Sequence, residues 1–316
     1  MDMMGLIGDT PLIKICVKYK NIKKKVFVKL EYYNYTGSVK DRVAGYIISK
    51  SYDNGSLKKS MPIIEATSGN TGISFSALGA LNGHSVHIFM PDWVSVERIK
   101  IMKLYGAKVY LVSKEEGGFQ ECIRRADDLA KILNGFRPQQ FSNELNSEVH
   151  YLYTGDEIAN KLESVSAFVC GFGTGGTLMG VSKKLKEKFN NLKTYAMEPE
   201  NMALLGREKR IGEHKIEGIG DDFLPELIDK NLIDSVVTIN DYEAINMSRR
   251  LAKNLGLGVG ISSGANFLAS VLIEEDSVVT IFADDMKKYL STDLTKEDDK
   301  HYLSDEIEFE SVEIIN

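Results

Sequence analysis

Residues 62–91 read PIIEATSGNTGISFSALGALNGHSVHIFMP, a short apolar run, a turn of small polar residues, a helical stretch and a second apolar run. That order is one β-α-β unit. The same rhythm extends in both directions: KVFVKLEYY before VAGYIISKSY, then VERIKIMKLYG, AKVYLVS and a charged helical stretch to Leu133. After Gln140 it returns as amphipathic YLYTGDEIANKL, the strand SAFVCGF, a helix from Leu178, the strands KTYAME and DSVVTIN, a helix to Leu255 and the strand SVVTIFA. The pattern predicts an α/β fold of largely parallel sheets covered by helices.

A chain of 316 residues is long for one hydrophobic core, so two lobes with a cleft between them are expected, joined by ordinary loops, one near PQQFSNELN at 138–146. The composition, 43% apolar and 27% charged, is that of a soluble globular protein, and no apolar run approaches a membrane span. A net charge of −6 argues against nucleic acid and for a small-molecule partner. Cys16, Cys122 and Cys170 form no CxxC pair and read as reduced and buried, and the start MDMMGLIGDTPL lacks a secretory signal, so cytoplasm is expected. The five histidines show no metal-ligand spacing, so no metal is expected. The segment 291–316, rich in acids, reads as a surface-packed or partly disordered tail that could dock across a partner subunit.

Four turns could carry chemistry. GFGTGGT, Gly171 to Thr177, follows a strand and opens a helix, so its amides and the helix start suit a phosphate. It also satisfies GxGxxG, with Glu198 about 20 residues on, so an NAD site and a ligand-free turn stay open. In NYTGSVKDR, Asn34 to Arg42, a partly desolvated Lys40 would serve as an imine-forming nucleophile or base; the alternative is a surface lysine in a turn capped by Ser38, with Asp41 in the first helical turn. EATSGNTGIS, Glu65 to Ser74, packs hydroxyls, an amide and two glycines into one turn, more donors than a helix cap needs and enough to hold a carboxylate. GISSGANF, Gly260 to Phe267, is a helix cap or offers a serine hydroxyl to a ring nitrogen.

In this order IGDTPL, GSVKDR, ATSGNTG, MPDWVSVER, QQFSN, GFGTGGT, IEGIGDDFLP, GISSG and KKYLST resemble the cysteine synthase and cystathionine β-synthase family of pyridoxal phosphate enzymes, from Ile7 to Thr292. The resemblance implies a two-lobed fold, a homodimer, and pyridoxal 5'-phosphate in the cleft, with an NAD-binding oxidoreductase as the distant alternative. It implies a larger cofactor-binding lobe from 1–35 and 146–290 and a smaller mobile lobe, 36–145, with the substrate-carboxylate loop. By matching positions, Lys40 would carry the Schiff base, Gly173, Thr174, Gly175, Gly176 and Thr177 would hold the phosphate, Asn70 would meet the phenolic oxygen and Ser262 the ring nitrogen. Thr67, Ser68, Thr71 and Gln140 would bind the substrate carboxylate. Lys40 would also remove the α-proton, leaving an aminoacrylate for a nucleophile.

Glu217, Asp222 and Phe223, with TGDEI at Thr154 to Ile158, follow the cystathionine synthase-like subgroup, whereas Asp221 matches neither subgroup. A carboxylate there could protonate a departing sulfide and activate water, which favours L-cysteine as substrate, with hydrogen sulfide released and L-serine formed. Cysteine synthase chemistry on O-acetylserine and a cystathionine-type synthase are the alternatives, and a solvated or ion-paired Asp221 is the structural one. Tyr35 and Thr36, Asn143 to Asn146, and Ala283 to Asp285 depart from the family's usual loops. Trp93 lies in the segment expected to move, where it would pack or gate the cleft.

Overall fold

The computed structural model describes residues 4–206, 208–296 and 300–316. The expectations for residues 1–3 and for 297–299 of the tail lie outside the described residues. Strands β1 (Leu12–Tyr19) and β2 (Ile22–Leu30) form an antiparallel hairpin, which turns through Lys20 and Asn21, both at positive φ. Such a two-residue turn matches the twist of the strands it joins.

The chain then builds a three-stranded unit: α1 (Lys40–Asp53), β3 (Ile63–Ala66), α2 (Asn70–Asn82), β4 (Val86–Pro91), α3 (Val96–Leu104), β5 (Lys108–Val112) and α4 (Gly118–Leu133). Its strands pair in parallel, β3-β4-β5, and every residue of β3 and β4 is buried.

Next come α5 (Leu145–Val149), a π-helical turn over His150–Gly155 and α6 (Asp156–Lys161), where the sequence pattern predicts one amphipathic helix. They lead to β6 (Ala167–Gly171), α7 (Gly176–Lys188) and β7 (Lys193–Pro199). A short pair, β8 (Met202–Ala203) and β9 (Arg210–Ile211), precedes β10 (Ser235–Ile239), α8 (Asp241–Leu255), α9 (Ile261–Leu272), β11 (Ser277–Phe282) and β12 (Glu308–Ile315). The seven-stranded sheet runs β10-β7-β6-β11-β2-β1-β12, parallel from β10 to β2 and antiparallel beyond. Alternation along the strands sorts its two faces. Ala167, Val169 and Val278 meet α8 and α9, while Phe168, Cys170 and Val279 meet α6 and α7. Among the described residues no helix is long and apolar enough to cross a membrane.

The acidic tail packs on the surface as an ordered edge strand, residues 308–315 completing the sheet beside β1. Its acids face lysines of the first hairpin: Lys14–Glu313 at 2.8 Å, Lys23–Glu310 at 3.1 Å and Lys18–Glu308 at 3.6 Å. Phe309 stacks on Phe267 with ring centroids 6.1 Å apart. The cysteines differ in part from expectation, since Cys122 and Cys170 are buried and Cys16 is half-buried.

The two units are joined at the start of α1 by a buried cluster. The Arg42 guanidinium donates to Glu31 at 2.6 and 2.9 Å and to Glu157 at 2.6 and 2.7 Å, and Lys29 lies 2.6 Å from Glu157. Thr10 and Asn34 donate to the Glu31 carboxylate at 2.7 and 2.8 Å, which fills its remaining lone pairs. Burial pushes the Glu31 carboxyl up, but Arg42, Lys29 and Thr10 together hold it below its ordinary value. Removing one member strands the others in a dry interior. Arg42→Met is therefore expected to lose about 3–5 kcal/mol of unfolding free energy in a urea titration; a loss under about 1 kcal/mol, the range of an exposed pair, would sink this account.

Candidate active site

A cleft between the two sheets is lined by Lys40, Asn70 and Ser262, by Gly173, Thr174, Gly175 and Thr177 of one turn, and by Glu217 and Gly218 of another. Lys40 is the first residue of α1, and its amide donates to Ser38 Oγ at 3.3 Å, a weak local cap. Asp41 lies in the first turn of α1, as the sequence suggests. It turns back to accept from Thr36 N and Oγ1 at 2.7 and 2.6 Å and from Ser74 Oγ at 2.7 Å, tying α1 to α2. Burial lowers the Lys40 ammonium below its ordinary value, against the opposing fields of Cys170, Asp284 and Asp221.

The turn before α7 is a cradle in which side chains have no room. Gly175 sits at φ +88, a Cβ on Gly173 would lie 2.7 Å from the Gly218 carbonyl oxygen, and one on Gly176 would lie 2.0 Å from Asn146 Oδ1. Asn146 Nδ2 donates to Thr174 Oγ1 at 2.9 Å, and Thr177 Oγ1 lies 3.1 Å from His150 Nε2. Burial, reinforced by Lys40 and Arg42, keeps His150 well below its usual value and hence neutral. Backbone amides at a helix start, flanked by hydroxyls with a neutral imidazole behind them, suit a phosphate.

Across the cleft, Asn70 Nδ2 donates to Asp284 Oδ2 at 2.8 Å, which leaves its second hydrogen for a ligand oxygen. The side-chain hydroxyl of Ser262, in the first turn of α9, lines the cleft and has no hydrogen-bond partner among the described residues. Thr67, Ser68 and Thr71 lie in the β3–α2 turn; Thr71 Oγ1 donates to Gln140 Oε1 at 2.6 Å, and Gln140 Nε2 donates to Ala66 O at 2.9 Å. Thr67, Thr71 and Gln140 are buried, and Asn70, between Ser68 and Thr71, is the residue of this stretch that lines the cleft. Glu198, the acid an NAD site would need, instead accepts from the backbone amides of Leu204 and Leu205 at 2.7 and 3.1 Å. That carboxylate is not presented to a ligand. Trp93 is 49% exposed, with Lys114 Nζ 5.3 Å over its ring, so it is not packed in a core.

Asp221 is half-buried and Asp222 exposed. Burial, followed by the field of Asp222 and opposed by Lys40, lifts the Asp221 carboxyl from its ordinary 3.8 to about 7. The adjoining network is one that no sequence motif singles out. Arg98, 1% exposed, pairs with Glu217, donates to Ser95 Oγ at 2.8 Å, lies 3.8 Å from Asp284 and stacks 4.5 Å over the Tyr289 ring. Tyr289 OH donates to Asp284 Oδ2 at 2.8 Å. Arg98 was visible only as part of MPDWVSVER, and its acidic partners lie more than 100 residues away in the chain.

The lysine, the amide with a spare donor, the free hydroxyl and the glycine cradle together fit pyridoxal phosphate. Comparison with known proteins agrees: residues 3–284 match the family model described as pyridoxal-phosphate dependent enzyme. A cysteine synthase of Staphylococcus aureus is 39% identical over 305 residues, which covers 94% of this chain and 98% of that relative. Among solved structures, a hydrogen sulfide-producing enzyme of Fusobacterium nucleatum is 46% identical with a TM-score of 0.93, covering 98% of this chain and 97% of that one. A cysteine synthase of Entamoeba histolytica is 38% identical with a TM-score of 0.87, covering 96% and 93%. With its cleft, its glycine cradle and its lysine at the head of α1, the chain belongs to the pyridoxal-phosphate dependent enzymes, as a member of the cysteine synthase group.

Proposed function

We propose that this protein converts L-cysteine and water into L-serine and hydrogen sulfide, by elimination and replacement at Cβ. The observation that carries the reading is Asp221, a carboxyl lifted to about 7 within the field of Lys40. A group with that proton affinity exchanges protons in either direction near neutral pH. The structural likeness to a hydrogen sulfide-producing enzyme supports it, as does the capture of an aspartate-to-asparagine mutant of that enzyme with an α-aminoacrylate intermediate.

Pyridoxal phosphate, when bound, supplies the electron sink that makes a Cα proton removable. In this reading Lys40, its ammonium weakened by burial, takes that proton and returns it to Cα once the new bond at Cβ has formed. Asp221 in its acid form gives a proton to the departing sulfur, and its carboxylate then takes one from the incoming water, so that the residue ends as it began. Gly173, Thr174, Gly175, Gly176 and Thr177 would hold the phosphate, Asn70 the phenolic oxygen and Ser262 the ring nitrogen. The substrate carboxylate would rest on Thr67, Ser68, Thr71 and Gln140. The lobe 36–145 would be the mobile one, 1–35 with 146–290 the cofactor-binding one, and the protein a cytoplasmic homodimer.

Synthesis of cysteine from O-acetylserine and sulfide is the second reading, favoured by the relatives named cysteine synthase. The two are separated by measuring sulfide and serine from L-cysteine alone against cysteine from O-acetylserine and sulfide. Asp221→Asn is expected to cut serine formation by about 100-fold or more with the cofactor's absorbance retained. Undiminished serine formation would remove the acid/base role.

A second readout is stability. A carboxyl whose folded-state affinity for protons is raised contributes stability that is complete below its ordinary value and lost as pH rises to the folded one. Relative to wild type, Asp221→Asn should gain thermal stability as pH rises from about 4 to about 7 and gain nothing further above it. A gap that does not change with pH would mean that Asp221 titrates as an ordinary surface acid.

A further inference from the structure

The loop that carries Asp221 is held by its backbone to the larger sheet and by its side chains to the smaller one. On the first side, the Gly220 amide donates to Phe172 O at 3.2 Å, and the Gly220 carbonyl oxygen lies 2.8 Å from His214 Nε2. On the second side, Glu217 pairs with Arg98 of α3, and Phe223 reaches into the apolar cluster formed by β3, β4 and α4. The Phe223 ring lies 5.1 Å from the Phe141 ring, edge to face, and 6.4 Å from the Phe119 ring, stacked. Phe119 and Phe141 are themselves in edge-to-face contact at 5.4 Å, so the three rings form one nest. Asp221 therefore sits between two fastenings, one ionic and one aromatic.

Offset and edge-to-face rings have a defined mutual geometry, so a ring seated in such a nest fixes where its backbone can lie. Two residues from that ring, the Asp221 carboxyl can be kept from water only while the loop stays over the cleft. Resting on the acid/base reading of Asp221, we infer that Phe223 is a positioning residue: by docking into the Phe119–Phe141 nest it holds the loop closed over the cleft and excludes water from the Asp221 carboxyl.

The charged surroundings are compatible with this role. Lys40 of α1 and Asp222 on the same loop are the charges whose fields reach Asp221, and they oppose one another. His214 is occupied at the Gly220 carbonyl, Glu217 is turned to Arg98, and the Gly171–Thr177 turn on the other side carries no charged side chain. With those fields opposed, dehydration is the dominant influence on Asp221, and hydration is what loss of the ring would restore.

The test compares Phe223→Ser and Phe223→Leu with wild type in the cofactor-loaded enzyme. Two readouts are taken: the pH profile of kcat/KM for L-cysteine, and the pH titration of the Asp221 carboxyl by carbon NMR in protein labelled with carbon-13 aspartate, without substrate. In wild type both should show an apparent pKa near 7. Phe223→Ser should move both down by about one pH unit or more, a tenfold or greater loss of proton affinity, and lower kcat with little change in KM. Phe223→Leu, which keeps an apolar plug, should restore most of the shift. Phe141→Ala, which opens the nest from its other side, should act as Phe223→Ser does and replaces it should that variant not fold. Activity lost evenly across pH with an unmoved titration would reduce Phe223 to packing. The underlying reading is tested separately by Asp221→Asn: if that variant keeps the limb near 7, the limb does not belong to Asp221 and both ideas fail. If it loses the limb while Phe223→Ser leaves it in place, the ring's role alone fails.

Discussion

A guanidinium with no access to water has to be surrounded by carboxylates, and Arg42 satisfies that requirement with partners from opposite ends of the fold. Glu31 follows β2, Glu157 belongs to α6 and Lys29 lies near the end of β2, so the cluster draws β2, α6 and α1 to one point. A buried ion cluster of this kind is weak evidence for net stability, because the cost of desolvation is comparable to the gain from pairing. What it supplies is geometry. Successive residues of an α-helix are rotated by about 100°, so residues two apart face nearly opposite directions. With Arg42 drawn into the cluster, Lys40 is directed into the cleft.

The cleft is built from turns at the ends of buried strands. The β3–α2 turn carries Thr67 to Thr71, the β6–α7 turn carries the glycine cradle, and the segment after β11 carries Asp284. Ligand sites outside the carboxyl ends of parallel strands are the rule for open α/β sheets. Lys40, which lines that space, and Asp221, on the loop beside it, are both pushed toward their neutral forms, Lys40 down and Asp221 up, because burial penalises charge of either sign.

Much of this architecture was legible in the chain. Continuous apolar runs such as AFVCG and SVVTIF mark strands buried on both faces, and glycine-rich turns between strand and helix mark the ligand site. What could not be read depends on partners distant in sequence. The acids of 308–315 look like a solvated tail until the lysines of β1 and β2 lie beside them. Arg98 looks like a surface residue of an amphipathic helix until Glu217 and Asp284 enclose it. Glu157 was visible within TGDEI, but that it anchors the helix bearing Lys40 follows only from the fold. Likewise a GxGxxG turn with an acid downstream cannot separate two kinds of phosphate ligand, since the acid's true partners, the amides of Leu204 and Leu205, lie in a local turn.

The contrast between adjacent Asp221 and Asp222 follows from the glycines before them. Gly218 and Gly220 lie at φ +89 and +71, values that favour glycine, and a Cβ on Gly220 would come within 2.9 Å of Pro199. Two left-handed residues in three turn the chain sharply just before the two acids, of which Asp221 is half-buried and Asp222 exposed. The charge of exposed Asp222 disfavours ionisation of its neighbour. An exposed carboxylate thus helps tune a half-buried one, and the two acids of IEGIGDDFLP are not equivalent.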